Sequence, residues 1–144
     1  MDHKSLFETE TDFRLSYDRE VPCVVMVWRG YHSSASFRLQ NEAVLAALTE
    51  HRAGKLLCDI RNFLLIGATD QSWLNQDWLP RAMSGGLQAC AIVAPIYYFN
   101  RVAVQTVLDR LGTRSLNVEH FDTPKAARAW LKDVSIDGAA SRGL

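Results

Sequence analysis

The sequence predicts an α/β fold, in which a mixed sheet of five strands is flanked by about four helices. Short apolar runs of strand length alternate with longer segments of helical periodicity along most of the chain. The predicted order is β-β-α-β-α-β-α-β-α, and strands that alternate with helices form parallel pairs. The 144 residues are 48% hydrophobic and 22% charged, a composition typical of one globular domain.

The predicted sheet begins with a hairpin. Residues 13–17 alternate apolar and polar side chains, as a half-buried strand does, and residues 18–20 form a polar turn. Pro22 then opens a run in which residues 24–28 contain no polar side chain, so this second strand is expected at the centre of the sheet. The first strand is expected as an antiparallel edge.

A helix and a further strand follow the hairpin. Ser33 or Ser34 can cap a helix that Gly54 is placed to end. Residues 55–61 then form the third predicted strand. A second helix follows, which Pro80 is expected to kink or to split just before it.

The last part of the chain repeats this alternation. Residues 89–94 form the fourth predicted strand and residues 116–121 the fifth, with a helix capped by Asn100 between them. Thr123 and Pro124 form a favourable helix start, with Thr as the N-cap and Pro at the first helical position. The domain division expected is a lead over residues 1–12, a single domain over 13–133 and a flexible tail over 134–144.

Charge balance argues against two classes of partner. The chain has 16 basic and 16 acidic side chains, whereas nucleic acids and anionic membranes attract cationic surfaces. No apolar run reaches the roughly 18 residues of a membrane span. The N-terminus leans acidic and does not resemble a signal peptide, so a cytoplasmic location is expected.

Cysteine and histidine show no catalytic or metal-binding spacing. Cys23, Cys58 and Cys90 each lie in an apolar run, which predicts three buried free thiols. The four histidines are scattered, and His32 beside two serines lacks the surroundings of a hydrolase nucleophile. We therefore expect no metal, no cofactor and no enzymatic activity.

An ordered set of short motifs runs from about residue 13 to residue 132. The motifs are Val-Trp-Arg-Gly at 27–30, Asp59-x-Arg61, Trp73-x-x-x-x-Trp78-x-Pro80-Arg81, Gly86-Leu87, Phe121-Asp122 and Ala129-Trp130-Leu131. In this set the sequence resembles the SpoIIAA-like group of the STAS fold, also called STAS/SEC14 domain proteins. The resemblance implies a STAS-like mixed sheet flanked by helices. In the antagonist proteins of that fold, a phosphorylated Ser follows the third strand. The residue at that point here is not Ser, so that switch is not carried over.

The carboxyl ends of the strands are the expected binding region, because open α/β sheets bind ligands there. The candidate ligand- or partner-binding residues are Trp28, Tyr31, Asp59, Arg61, Phe63, Trp73, Trp78, Arg81, Tyr97, Tyr98 and Phe99. The alternative is that Asp59 and Arg61 pair with each other or cap neighbouring helices, while the aromatic side chains pack on the sheet.

Two functions follow from this pattern. The first is a non-catalytic STAS-like regulatory module that binds a protein partner or forms a homodimer, with Tyr97, Tyr98 and Phe99 as a contact surface. The second is a domain that binds a small apolar or anionic molecule, or a lipid, in an apolar pocket near the end of the third predicted strand. Residues 63–66, beside Trp73 and Trp78, would cover that pocket.

Overall fold

The computed structural model describes residues 3–8, 13–64, 67–94, 102, 105–106, 109 and 116–136. The strands are β1 (His3–Glu8), β2 (Phe13–Asp18), β3 (Cys23–Gly30), β4 (Lys55–Phe63), β5 (Ala89–Val93) and β6 (Asn117–Phe121). The helices are α1 (Ser34–Glu50), α2 (Ala68–Trp73), α3 (Leu79–Ser84) and α4 (Pro124–Asp133), and a π-helical turn, Leu74–Trp78, joins α2 to α3. The α/β class predicted from the sequence is confirmed.

The sheet is mixed, and its strands lie in chain order from β1 to β6. The pairs β1–β2 and β2–β3 are antiparallel, and β3, β4, β5 and β6 are parallel. The five predicted strands are all present, and β1 adds a sixth that the sequence analysis did not predict. As a consequence β2 lies between β1 and β3 and not at the edge of the sheet.

One face of the sheet carries large apolar side chains and is covered by α1 and by the α2–α3 segment. Val24, Met26 and Trp28 of β3 point to this face, where they join Phe37 and Val44 of α1 in one buried cluster. The intervening β3 residues belong to the cluster on the opposite face. The uninterrupted apolar run of β3 therefore reflects burial on both faces, as a central strand requires.

The opposite face carries small side chains and is covered by α4. Ala89 and Ala91 of β5 are fully buried beneath Ala127 and Leu131 of α4. Thr123 caps α4 as predicted, since its hydroxyl oxygen accepts a hydrogen bond from the Ala126 N–H at 3.1 Å.

The packed chain continues beyond residue 133, where the sequence analysis placed the end of the domain. Val134 and Ile136 pack against the cluster beneath α4. Residues 137–144, the rest of the predicted tail, lie outside the described residues.

The end of α1 and the helical segment that contains Pro80 can be compared with their predictions. Gly54 was expected to end α1, but the helix ends at Glu50 and Arg52 adopts the left-handed conformation, with φ 50°. Pro80 does not split its helix, because residues 68–84 are helical without a break. The change before Pro80 is the π-helical turn, which ends directly before α3. The predicted helix after Asn100 lies largely outside the described residues, although Val102, Gln105, Thr106 and Asp109 within it are helical.

Candidate functional site

The carboxyl end of the parallel strands is filled by an aromatic cluster. Trp28 is 2% exposed, and its ring centroid lies 4.6 Å from Phe13, 5.3 Å from Phe63 and 5.4 Å from Phe37. Phe63 also stacks on Phe37 with an interplanar angle of 11°. Two of the predicted binding residues, Trp28 and Phe63, are therefore core side chains that close the space between the sheet and α1.

Two apolar side chains lie exposed above this cluster. Tyr31, directly after β3, is 69% exposed, and Leu64, directly after β4, is 38% exposed. The Leu64 N–H donates to the Gly30 C=O at 3.0 Å, which holds the two strand ends side by side. Exposed Arg29 and Asn62 are register partners two positions before Tyr31 and Leu64, respectively. We call Tyr31, Leu64, Arg29 and Asn62 the carboxyl rim.

Asp59 and Arg61 form the ion pair that the sequence analysis gave as the alternative. Arg61 donates from Nε to Oδ1 of Asp59 at 3.0 Å and from a terminal nitrogen to Oδ2 at 2.9 Å. The hydrogen bond from the pair raises the pKa of the Arg61 guanidinium, although its burial opposes this. Because successive strand residues face opposite sides, Asp59 lies on the α4 side of the sheet, away from the aromatic cluster that contains Trp28.

The remaining predicted residues that the structure describes tie helices together. Trp78 is 2% exposed and donates from its ring N–H to the Asn41 C=O. Trp73 is half-buried, with the Arg38 guanidinium 5.2 Å from its ring centroid. Arg81 of α3 pairs with Glu42 of α1. Tyr97, Tyr98 and Phe99 lie outside the described residues, so the predicted contact surface there stays a prediction.

The polar side chains at the start of α1 are engaged in structural hydrogen bonds. Ser34 donates to Oδ1 of buried Asp70 at 2.7 Å, and Arg38 donates to the same oxygen at 3.0 Å. Nδ1 of His32 lies 3.3 Å from the Ser36 hydroxyl, and the adjacent Ser33 instead caps α1. Asp70 thereby joins α2 to α1, a role the sequence analysis did not foresee.

The three thiols are free and buried, as the sequence predicted. Burial raises the pKa of Cys23 and of Cys90 to about 12, and raises that of Cys58 well above its ordinary value. All three are therefore protonated near neutral pH. Within the described ranges, no group of three or more His, Cys, Asp or Glu side chains is arranged to hold a metal ion. No helix in that part of the chain is long and apolar enough to cross a membrane.

A cleft of about 650 Å³ lies at the opposite, amino end of the parallel strands, where sequence reasoning placed no site. It is lined by Tyr17, Pro22, His51, Arg52, Ala53, Gly54, Lys55, Val134, Ser135 and Ile136. The rings of Tyr17 and His51 stack at 4.1 Å with an interplanar angle of 15°. The sequence did not predict this cleft, because its lining residues lie far apart in the sequence. Three of them, at positions 134–136, also belong to the segment that was predicted to be a flexible tail.

The sequence matches no model of a protein family, and no curated protein matches it significantly.

Proposed function

We propose that this chain is a non-catalytic, STAS-like interaction module that contacts a protein partner through the carboxyl rim. The observation that carries the proposal is the pair of exposed apolar side chains, Tyr31 and Leu64, at adjacent strand ends. Tyrosine is enriched at the centres of protein interfaces, because its ring offers a large contact area and its hydroxyl a polar handle.

The layer beneath the rim favours binding. Trp28 and Phe63 are buried in the aromatic cluster, so the backbone that carries Tyr31 and Leu64 rests on a packed layer. A surface that is already ordered loses less conformational freedom when a partner binds it.

The state of the ionisable groups supports a non-catalytic role. Asp59 is neutralised by Arg61, and Asp70 accepts hydrogen bonds from Ser34 and Arg38. The buried thiols have raised pKa values, whereas a nucleophilic cysteine requires a lowered one. The STAS-like assignment rests on the ordered motifs of the sequence, and the mixed α/β sheet is compatible with it.

The alternative, an apolar ligand pocket near the end of β4, has less support. The rings of Trp28, Phe37 and Phe63 occupy the space between sheet and helix that such a pocket would need.

The proposal is tested by comparing partner recovery between matched surface variants. Tagged wild-type chain, Tyr31→Ser and Leu39→Ser are expressed in the native host, and co-purifying proteins are quantified by mass spectrometry. Leu39 is the control, since its side chain on α1 is 66% exposed, much like Tyr31. We expect Tyr31→Ser to lose a stoichiometric partner, or the second copy of the chain, that Leu39→Ser retains. Equal recovery by both variants would contradict the proposal.

A further inference from the structure

The cleft at the amino end of the parallel strands contains polar groups with unused hydrogen-bonding capacity. Nε2 of His51 is buried and has no hydrogen-bond partner among the described residues. Its nearest charged neighbour in that set is the Glu50 carboxylate at 3.6 Å, beyond hydrogen-bond distance. A buried polar atom without a partner is costly in a folded protein, but Nε2 is closed to solvent, so the charged groups considered for a ligand in the cleft are those of Arg52 and Lys55.

Lys55 adds a buried cation to the same cleft. Lys55 is 8% exposed, and within the described residues its ammonium group donates one hydrogen bond, to the Leu131 C=O of α4. An ammonium group has three N–H donors, so two remain for an acceptor. Burial lowers the pKa of Lys55, although Coulomb interactions with Cys23 and Asp133 oppose the shift. An anion beside the amine would stabilise its charged form.

Arg52 supplies a second cation from a strained position. It is an exposed residue with φ 50°, a conformation that favours glycine or asparagine and costs other residues about 1 kcal/mol. This conformation ends α1, because it lets the Ala53 N–H donate to the Leu48 C=O at 2.9 Å, and Arg52 is one of the residues that line the cleft.

The remaining walls are apolar or aromatic. Pro22, Ala53, Val134 and Ile136 form apolar surface, and the stacked rings of Tyr17 and His51 form a flat one. The lining includes three basic side chains and no acidic one. The volume, about 650 Å³, is within the range of about 300–1,000 Å³ typical of small-molecule sites.

Hydrogen bonds to carbonyl groups at the ends of α1 and α4 reduce the negative potential that these helix ends place in the cleft. Helix carboxyl ends repel anions when their carbonyl groups are unpaired. Here the N–H groups of His51, Arg52 and Ala53 donate to three of the last four carbonyl groups of α1. Lys55 and Val134 donate to two of the last four of α4.

We propose that this cleft binds a small organic anion, with the oxyanion between Arg52 and Lys55 and a flat apolar body against Tyr17 and His51. The shared ligand chemistry is a carboxylate or phosphate joined to a ring or short apolar chain. The site is separate from the carboxyl rim, so either can fail without the other.

The test uses three ring probes that differ in charge. Benzoate, phenyl phosphate and uncharged benzamide are titrated into ¹⁵N-labelled full-length protein, and amide shifts are followed by NMR. We expect at least one anion to shift the amides of Gly54, Lys55 and Ser135, and benzamide to bind about fivefold or more weakly, as loss of a charge-assisted contact requires. Whichever anion binds more tightly identifies the oxyanion.

Two variants locate the binding. Arg52→Asn removes the cation and keeps a residue that tolerates the left-handed conformation, so the fold is preserved, while Arg29→Asn removes an exposed cation at the other end of the sheet. Arg52→Asn should weaken anion binding about fivefold and Arg29→Asn should leave it unchanged. Benzamide binding as tightly as the anions, equal effects of the two variants, or no binding of either anion at millimolar concentration would overturn the proposal.

Discussion

The two ends of the same parallel strands are built in opposite ways. At the carboxyl end, the aromatic rings of Trp28 and Phe63 pack against each other and leave no open space, and Asp59 pairs with Arg61. At the amino end, small residues such as Ala53 and Gly54 leave a cleft, and the ammonium group of Lys55, one of its lining residues, keeps unused donors. One end offers a closed surface suited to a protein, and the other an open volume suited to a small molecule.

The largest loss of stability should come from a substitution in the aromatic cluster at the carboxyl end. Trp28→Ala removes the ring at the centre of the aromatic cluster and should lower the free energy of unfolding by about 4 kcal/mol. Urea unfolding followed by far-UV circular dichroism measures the loss. Trp130→Ala is the control, because Trp130 is only half-buried on α4 and should cost less than half as much. Equal losses would mean that the rings do not close the carboxyl end as described.

The next largest loss of stability should come from breaking an ion pair at the amino end. Asp18, which is 1% exposed, accepts hydrogen bonds from Arg128 at 2.6 and 3.2 Å and so joins β2 to α4 beside the cleft. Asp18→Asn keeps an acceptor for the Glu20 N–H but loses the ion pair. We expect a loss of about 2 kcal/mol in urea unfolding. A loss below about 0.5 kcal/mol would show that the pair contributes no more than an exposed one.

The same ion pair predicts a pH dependence. Burial alone would raise the pKa of the Asp18 carboxyl, but hydrogen bonds from Arg128, Glu20 and Val21 outweigh it and lower the pKa below its ordinary value. A carboxyl whose pKa is lowered by folding contributes stability above its unfolded pKa, near 3.9, and that contribution is lost as the pH falls through the folded value. The stability difference between wild type and Asp18→Asn should therefore be constant above about pH 5 and shrink below about pH 4. A difference that does not change with pH would exclude this origin.

The smallest expected change is an increase in the free energy of unfolding, from a substitution at the amino end. Arg52→Gly relieves the left-handed strain and should raise the free energy of unfolding by about 1 kcal/mol. Urea unfolding is again the measurement, and Arg29→Gly is the control at the end of β3. A loss of stability in Arg52→Gly would show that the arginine side chain makes stabilising contacts instead of carrying strain.

The sequence predicts the elements of this fold where local signals and burial agree. The apolar run of β3 and the Thr123–Pro124 start of α4 are found at or near their predicted positions, whereas the helix that contains Pro80 runs on without a break. Strand β1 was missed because residues 3–8 show neither a strict alternation nor a continuous apolar run, and their pairing with β2 is a tertiary effect.

The candidate sites were harder to predict, because a residue type does not reveal its exposure. Trp28, Tyr31 and Phe63 look alike in the sequence, yet two are core rings and only Tyr31 is exposed. The cleft depends on Tyr17, His51 and Ser135, which come from β2 and from the segments that follow α1 and α4. No spacing rule links such distant positions.

The most direct test of the contrast between the two ends is site-specific photo-crosslinking in the native host. A photoreactive phenylalanine analogue is placed at Tyr31 in the carboxyl rim or at Ser135, an exposed residue of the cleft. We predict a discrete crosslinked polypeptide from position 31, identified by mass spectrometry as a partner or a second copy, and none from position 135. A crosslinked polypeptide from position 135 with none from position 31 would contradict the account.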